Sequence, residues 1–177
     1  MKFEKILLNA KKADEQETKE YYTKLVGELT QKGLTAATAE SCTGGLMGKL
    51  FTDVSGASAV FSGGMITYTN HIKINKLGVS AETIEKHTEV SFECAAEMAK
   101  RAREYFDTDI GISATGFAGP TGGNENDPVG TVYLGISSKA RTVVYRLSFD
   151  SCNRDEIRFG TAFSAAKAII YEKTTFF

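Results

Sequence analysis

The sequence predicts a single α/β domain, a three-layer α/β/α sandwich on a mixed sheet. Short apolar runs at 34–39, 56–69 and 110–115 alternate with stretches of helical periodicity, as when covering helices join buried strands. Two further apolar runs, 130–137 and 142–149, are separated only by a polar turn, so they pair as a hairpin and make the sheet mixed. A length of 177 residues suits one domain with a substantial core and is short for two.

Taken in order, residues 1–18 form an N-terminal extension of unassigned role, with one apolar patch bounded by charges. That patch is too short and too polar for a signal peptide or a membrane span. Tyr21, Tyr22, Leu25, Val26 and Leu29 then recur at helical spacing over 18–32, and Gly33 supplies the stop. LTAATA (34–39) reads as a buried strand running into a helix, TGGLMGKLFTDV, whose first turn holds Thr43, Gly44 and Gly45. The Gly63–Gly64 pair within the next strand marks a bulge or a tight approach. NHIKINKLG and SAETIEKH give two short helices. The stretch 91–106 gives the clearest helix, with Ser91 as N-cap and Phe92, Ala95, Met98, Ala99, Ala102 and Phe106 on its apolar face. After the strand at 110–115 comes an irregular loop, GFAGPTGGNENDP. The hairpin turns around Ser138–Arg141, and a helix over about 153–172 closes the domain.

Composition narrows the function classes. Lys and Arg total 21 against 22 Asp and Glu, a net charge of -1 that offers no basic footprint for nucleic acid. Cys42, Cys94 and Cys152 match no zinc spacing and no disulfide framework, which points to a reducing cytoplasm and to no metal. Most of the 17 glycines lie at 44–64 and 111–135, after the strands ending at 39 and 115. Sites in α/β folds gather at such strand ends, so both clusters are expected to face one pocket.

The chemistry turns on TAESCTGGLMGKL (38–50). Gly44–Lys49 resembles a Walker loop, but the glycine spacing is one residue short and Leu50 stands where Ser or Thr would hold magnesium. Nucleophilic hydrolysis fits better. Ser41 at a strand-to-helix turn is exposed, with the N–H groups of the first turn beside it for an oxyanion or an anion. Its base is His71, His87 or Lys73. Each residue also has a plain structural reading: Ser41 as an N-cap, Cys42 as a small core residue, Lys73 as a solvated helix lysine. Arg154 and Arg158, four apart, have Asp155 and Glu156 as local partners.

ATAESCTGGL, GMITYTNHIK with its Tyr-x-Asn-x-x-Lys core, and TGFAGPTGG followed by PVGTVYLGI closely resemble the C-terminal domain of the CinA family over about residues 20–172. The resemblance implies a nicotinamide-nucleotide amidase that works without metal or cofactor in pyridine nucleotide salvage. It turns nicotinamide mononucleotide into nicotinate mononucleotide and ammonia. Ser41, Lys73 and Tyr68 correspond to the family's serine, lysine and motif tyrosine, Thr115 and Gly116 to the start of its glycine-rich loop, and Arg154 to its arginine. The glycine-rich loop with Gly119, together with Arg154, is expected to hold the phosphate. A homo-oligomer is expected, with a small nucleotide as substrate and neither nucleic acid nor membrane as partner. Larger family members add an N-terminal nucleotide-pyrophosphatase-like domain, to which nothing in these residues corresponds. A catalytically degenerate nucleotide-binding paralogue and a Cys42-dependent hydrolase are the competing readings.

Two stretches depart from the family pattern. His87-Thr88-Glu89-Val90-Ser91 stands where members read His-Gly-Ala-Val-Ser, which puts a β-branched residue where glycine would supply an unusual backbone angle. Cys152-Asn153-Arg154 stands in place of Gly-Asp-Arg and removes a carboxylate beside the arginine.

Overall fold

The computed structural model describes residues 2–171. Its strands are β1 (Glu4–Asn9), β2 (Ala36–Glu40), β3 (Phe61–Ile66), β4 (Ile110–Gly116), β5 (Thr131–Ser137) and β6 (Thr142–Ser148). The helices are α1 (Glu15–Lys32), α2 (Leu46–Thr52), α3 (Asn70–Ile72, continuing as a π turn over Lys73–Leu77), α4 (Ala81–His87), α5 (Phe92–Tyr105) and α6 (Arg154–Tyr171). They build one six-stranded sheet in the order β1-β6-β5-β4-β2-β3. The β4-β2-β3 trio and the β1–β6 pair are parallel, and β5 is antiparallel to both its neighbours. The expected mixed sheet and the hairpin at Ser138–Arg141 are both present, the hairpin closed by Ser138 N–H donating to the Arg141 carbonyl at 2.8 Å.

Two faces cover the sheet. On one, Tyr22, Leu25 and Leu29 of α1, Met47 and Phe51 of α2, and Ala162, Ala166 and Ile169 of α6 bury Ile110, Ile112 and Leu134. The other face belongs to α5, whose alanines bring its backbone almost onto the strands. A Cβ added to Gly111 would lie 2.0 Å from the Ala99 carbonyl oxygen, and one at Gly135 would lie 2.5 Å from that of Ala95. Ser113 Oγ donates to the Ala95 carbonyl at 2.7 Å, so this buried hydroxyl is satisfied. Small residues on both sides are what permit this approach.

The structure revises or completes three readings. Residues 4–9, within the extension whose role was left unassigned, form an edge strand parallel to β6. Only Ile6 of that strand is partly covered and Leu7 is 74 % exposed, so the segment lacks the alternation that marks a half-buried strand. Helix α2 begins at Leu46 rather than Thr43, because Gly44 (φ 61) and Gly45 (φ 93) are left-handed and keep the preceding turn out of the helix. The strand expected within 56–69 is present at 61–66, preceded by a single 3₁₀ turn at Ala57–Ala59. The Gly63–Gly64 signal was of both kinds. The β2–β3 register slips between Ala36–Phe61 and Ala37–Gly63, and a Cβ on Gly64 would lie 2.2 Å from Thr38 Oγ1. Gly33 and Ser91 cap as expected, and α6 reaches Tyr171; residue 172, read as its end, lies outside the described residues. No helix among the described residues is long and apolar enough to cross a membrane.

Because α2 packs on one face and α5 on the other, the chain leaves β2 in one direction and returns to β4 on the opposite side. A crevice therefore opens beyond the C-terminal ends of β2 and β4. One wall of it depends on Thr88, which follows α4 at φ 68, ψ 169, a combination populated almost only by glycine. Its hydroxyl donates to the Val90 carbonyl at 3.1 Å, a partial offset to the strain. Thr88→Gly is accordingly expected to stabilise the fold by about 1 kcal/mol, read as a raised urea midpoint at unchanged slope.

Candidate active site

Strand β2 ends on Glu40, which is 1 % exposed. Its carboxylate is met by four donors: the N–H groups of Gly45 and Met47 on Oε2 (both 3.0 Å), and Gly48 N–H (2.8 Å) and Thr38 Oγ1 (3.2 Å) on Oε1. The glycines of the turn thus serve an internal anion, since only their left-handed backbone swings those N–H groups back over the strand end. Arg158 clamps the same turn from α6, with Nε and Nη2 at 3.3 and 2.9 Å from the Thr43 carbonyl. Its Nη1 also reaches Asp155 at 3.4 Å, the local pairing expected from sequence.

Ser41, the next residue, is not exposed as expected but buried at the base of the crevice, because its N–H is donated to the Ala114 carbonyl at 2.8 Å and the turn folds in against β4. Lys73 Nζ lies 3.1 Å from Ser41 Oγ and 2.9 Å from the Thr67 carbonyl, and the residue is only 1 % exposed. Burial holds the lysine below its ordinary pKa; Cys94, Glu89 and Cys42 pull weakly the other way. Lys73 therefore sits where an amine can be uncharged, beside a hydroxyl that needs a base. The π turn that it opens is anchored by Thr69, which accepts Lys73 N–H on its carbonyl (3.0 Å) and Ile72 N–H on its hydroxyl (3.4 Å).

A cleft of about 460 Å³ opens above this pair. Thr115, Gly116 and Gly119 line one side of it, Tyr68 and Asn70 the other, with Arg154 at the mouth. Thr115 Oγ1 donates to the Glu89 carbonyl at 2.7 Å and fixes the segment after Thr88. Arg154 donates to the Gly119 carbonyl (2.7 Å) and to Tyr68 Oη (3.4 Å), joining α6, the glycine loop and the residue two past β3. Asn153, beside that arginine, is engaged in the helix cap. Its Oδ1 caps α6 by accepting from Asp155 N–H and Glu156 N–H, both at 3.0 Å, and Glu156 answers on Asn153 N–H at 2.9 Å. An asparagine caps as well as the aspartate it replaces.

Of the residues named from sequence, Ser41, Lys73, Tyr68, Thr115, Gly116, Gly119 and Arg154 come together in the cleft. Thr43, Gly44 and Gly45 do not line it. Gly45 N–H is taken by Glu40 and Gly44 N–H by the Ser41 carbonyl. The N–H groups of Cys42 and Thr43 lie beside the Cys42 thiol and have no carbonyl or carboxylate partner among the described residues. Both histidines are exposed outside the cleft, His71 on Asn75 and His87 facing Glu93 at 3.8 Å. Cys42 lines the cleft, but burial pushes its thiol up to about 12, so it stays protonated and is a poor nucleophile. Sequence reasoning missed Glu40 and Glu89. An acid immediately before a Ser-x-x-Gly-Gly turn was the available signal for the first; the second stood out only as a departure from a pattern.

The family model of the CinA C-terminal domain matches residues 18–172. This chain belongs to that family. The CinA domain is 49 % identical over 138 residues to a protein of Halothermothrix orenii named as a competence-damage inducible protein, covering 77 % of this chain and 33 % of that one. It is 47 % identical over 134 residues to a CinA-like protein of Kosmotoga olearia, covering 76 % and 32 %. The chain thus spans about a third of the length of the curated relatives it matches. Among solved structures, the competence/damage inducible protein CihA from Agrobacterium tumefaciens superposes with a TM-score of 0.84 at 35 % identity, over 87 % of this chain and 94 % of that one. A CinA superfamily protein from Escherichia coli gives 0.84 at 27 % identity, over 92 % and 94 %.

The geometry of the CinA domain makes Glu40 a positioning residue for the Ser41 turn. Glu40→Gln keeps the shape, but its amide N–H₂ confronts N–H groups that need an acceptor. The expected result is a loss of about 2–4 kcal/mol in urea unfolding, with Ser41 displaced from Lys73.

Proposed function

We propose that this chain is a serine amidohydrolase that converts nicotinamide mononucleotide to nicotinate mononucleotide and ammonia, in pyridine nucleotide salvage. The observation that carries the reading is the 3.1 Å contact between Ser41 Oγ and a buried Lys73 Nζ at the base of a nucleotide-sized cleft. Membership of the CinA C-terminal domain family supports it.

In this mechanism the uncharged Lys73 amine keeps one N–H on the Thr67 carbonyl and turns its lone pair to the Ser41 hydroxyl. As Ser41 Oγ bonds to the amide carbon, its proton passes to Lys73. The carbonyl oxygen gains charge, for which the N–H of Cys42, a residue that lines the cleft, is the available donor. Lys73 returns the proton to the amide nitrogen, the C–N bond breaks and ammonia leaves an acyl-serine. A water, deprotonated by the same amine, attacks the ester carbon; the proton goes back to Ser41 and the carboxylate product departs. Arg154, whose guanidinium is held at the mouth, meets the phosphate of the substrate.

Ammonia release from nicotinamide mononucleotide tests the reading directly. Ser41→Ala is expected to lower kcat by about 10³-fold or more, while Cys42→Ala keeps most of it. Lys73→Arg, permanently charged, is expected to be nearly inactive. For the wild type, the proton must be off Lys73 before attack. The rate therefore rises with pH through a limb that lies below the ordinary lysine range, since burial lowers this group. Nucleotide binding without ammonia release would instead make the chain a binding member of its family without turnover.

The phosphate assignment has its own check. Arg154→Ala is expected to reduce kcat/KM for the mononucleotide by at least about tenfold more than for nicotinamide riboside, which lacks the phosphate. Equal losses on both would move the phosphate elsewhere.

A further inference from the structure

The charges that line the cleft are unevenly disposed. Arg154 stands at the mouth, bound to Gly119 and Tyr68, while Lys73 stands at the base, bound to Ser41. On the segment after Thr88, Glu89 is the one acidic residue among the described residues that line the cleft. Its charge is close enough to favour the protonated form of Lys73. Glu89 is half-buried, and among the described residues no hydrogen bond or ion pair engages its side chain; its backbone carbonyl accepts from Thr115. Three neighbouring carboxylates are engaged elsewhere: Glu93 by Lys5, Glu97 by Ser80 and Thr83, and Asp127 by Tyr133 and Arg146.

An unpaired carboxylate beside a catalytic amine is unfavourable for catalysis by itself, because it stabilises the amine's charged, unreactive form. It also repels an anionic substrate. Both costs are offset if the substrate brings a positive charge of its own to that place. We propose that Glu89 is a specificity-determining residue, selecting substrates whose ring next to the scissile amide is cationic. The ligand class is a zwitterionic amide: a positive ring at the base of the cleft near Glu89, and an anionic group at the mouth near Arg154. A bound ring cation also opposes protonation of Lys73, so the substrate itself helps to keep the base in its reactive form.

This inference rests on the amidase reading for its ring and amide but is separable from it by experiment. The probes are nicotinamide mononucleotide, whose pyridinium is cationic, and its reduced dihydropyridine form, with the same amide, ribose and phosphate but an uncharged ring. The readout is the ratio of kcat/KM for the oxidised over the reduced probe, at one pH, which cancels any common effect on Lys73. Glu89→Gln is expected to lower that ratio by about tenfold, the order of one charge pair near a protein surface, and Glu89→Lys to lower it further. Since the side chain makes no hydrogen bond, both variants should fold, as checked by their urea midpoints. The same two probes are titrated calorimetrically into Ser41→Ala with and without Glu89→Gln. Tighter binding of the cationic probe that Glu89→Gln erases, without ammonia release by the wild type, would sink the amidase reading and keep this one. Ammonia release with a ratio unmoved by Glu89→Gln would do the reverse. Failure to bind either probe overturns both.

Discussion

The carboxylate of Glu40 is the interaction on which the rest of the site depends. A buried charge is tolerated only when its lone pairs are met, and here three backbone N–H groups and one hydroxyl meet them. That requirement dictates the glycines at 44 and 45, the late start of α2 and the sharp turn that carries Ser41. The backbone of the same residue reaches the base as well. The Glu40 carbonyl accepts Thr67 N–H at 2.7 Å, and the Thr67 carbonyl accepts Lys73 Nζ. Ser41 and Lys73 are thus both referred to one strand end, so they keep their spacing although they lie 32 residues apart.

The sheet order accounts for the remaining parts of the cleft. Strands β2, β3 and β4 run parallel, so their C-terminal ends deliver Ser41, Tyr68 and Thr115 to one side of the molecule. Helix α5 approaches close enough to fix the segment before it because its contact face is alanine against glycine. Helix α6 adds two arginines with different duties: Arg158 holds the turn from behind, and Arg154 faces the mouth. The plain structural reading was right for Arg158 in part, since it does pair with Asp155.

Most of the architecture was legible because its elements carry strong local signals. The alternation of buried strands with periodic helices, the cap residues Gly33 and Ser91 and the hairpin turn all emerge from single-sequence rules. Strand β1 escaped those rules because an edge strand with one half-covered residue shows no alternation. The first turn of α2 was misread for a deeper reason. Apolar periodicity marks where a helix buries its side chains and is blind to an acid that borrows its N–H groups. Ser41 and Lys73 were legible as residue types, yet neither spacing nor propensity brings them together; that took parallel pairing of β2 with β3. Glu89 carried no motif at all, and its meaning depends on which other charges share the cleft.

The π turn at Lys73–Leu77 has a consequence for how this segment tolerates change in length. Such a turn is an α-helical turn with one residue inserted, and here the surplus lies wholly after the lysine. The lysine's place is set from its N-terminal side, by the cap at Thr69. Beyond it, Val79 N–H reaches back to the Lys73 carbonyl at 3.0 Å, closing a loop wider than an α turn before Leu77 and Val79 enter the core. The lysine amine and the core anchors are therefore on separate tethers with slack between them. A residue gained or lost within 74–76 would fall in that slack and repack the far side, leaving the lysine within reach of the serine.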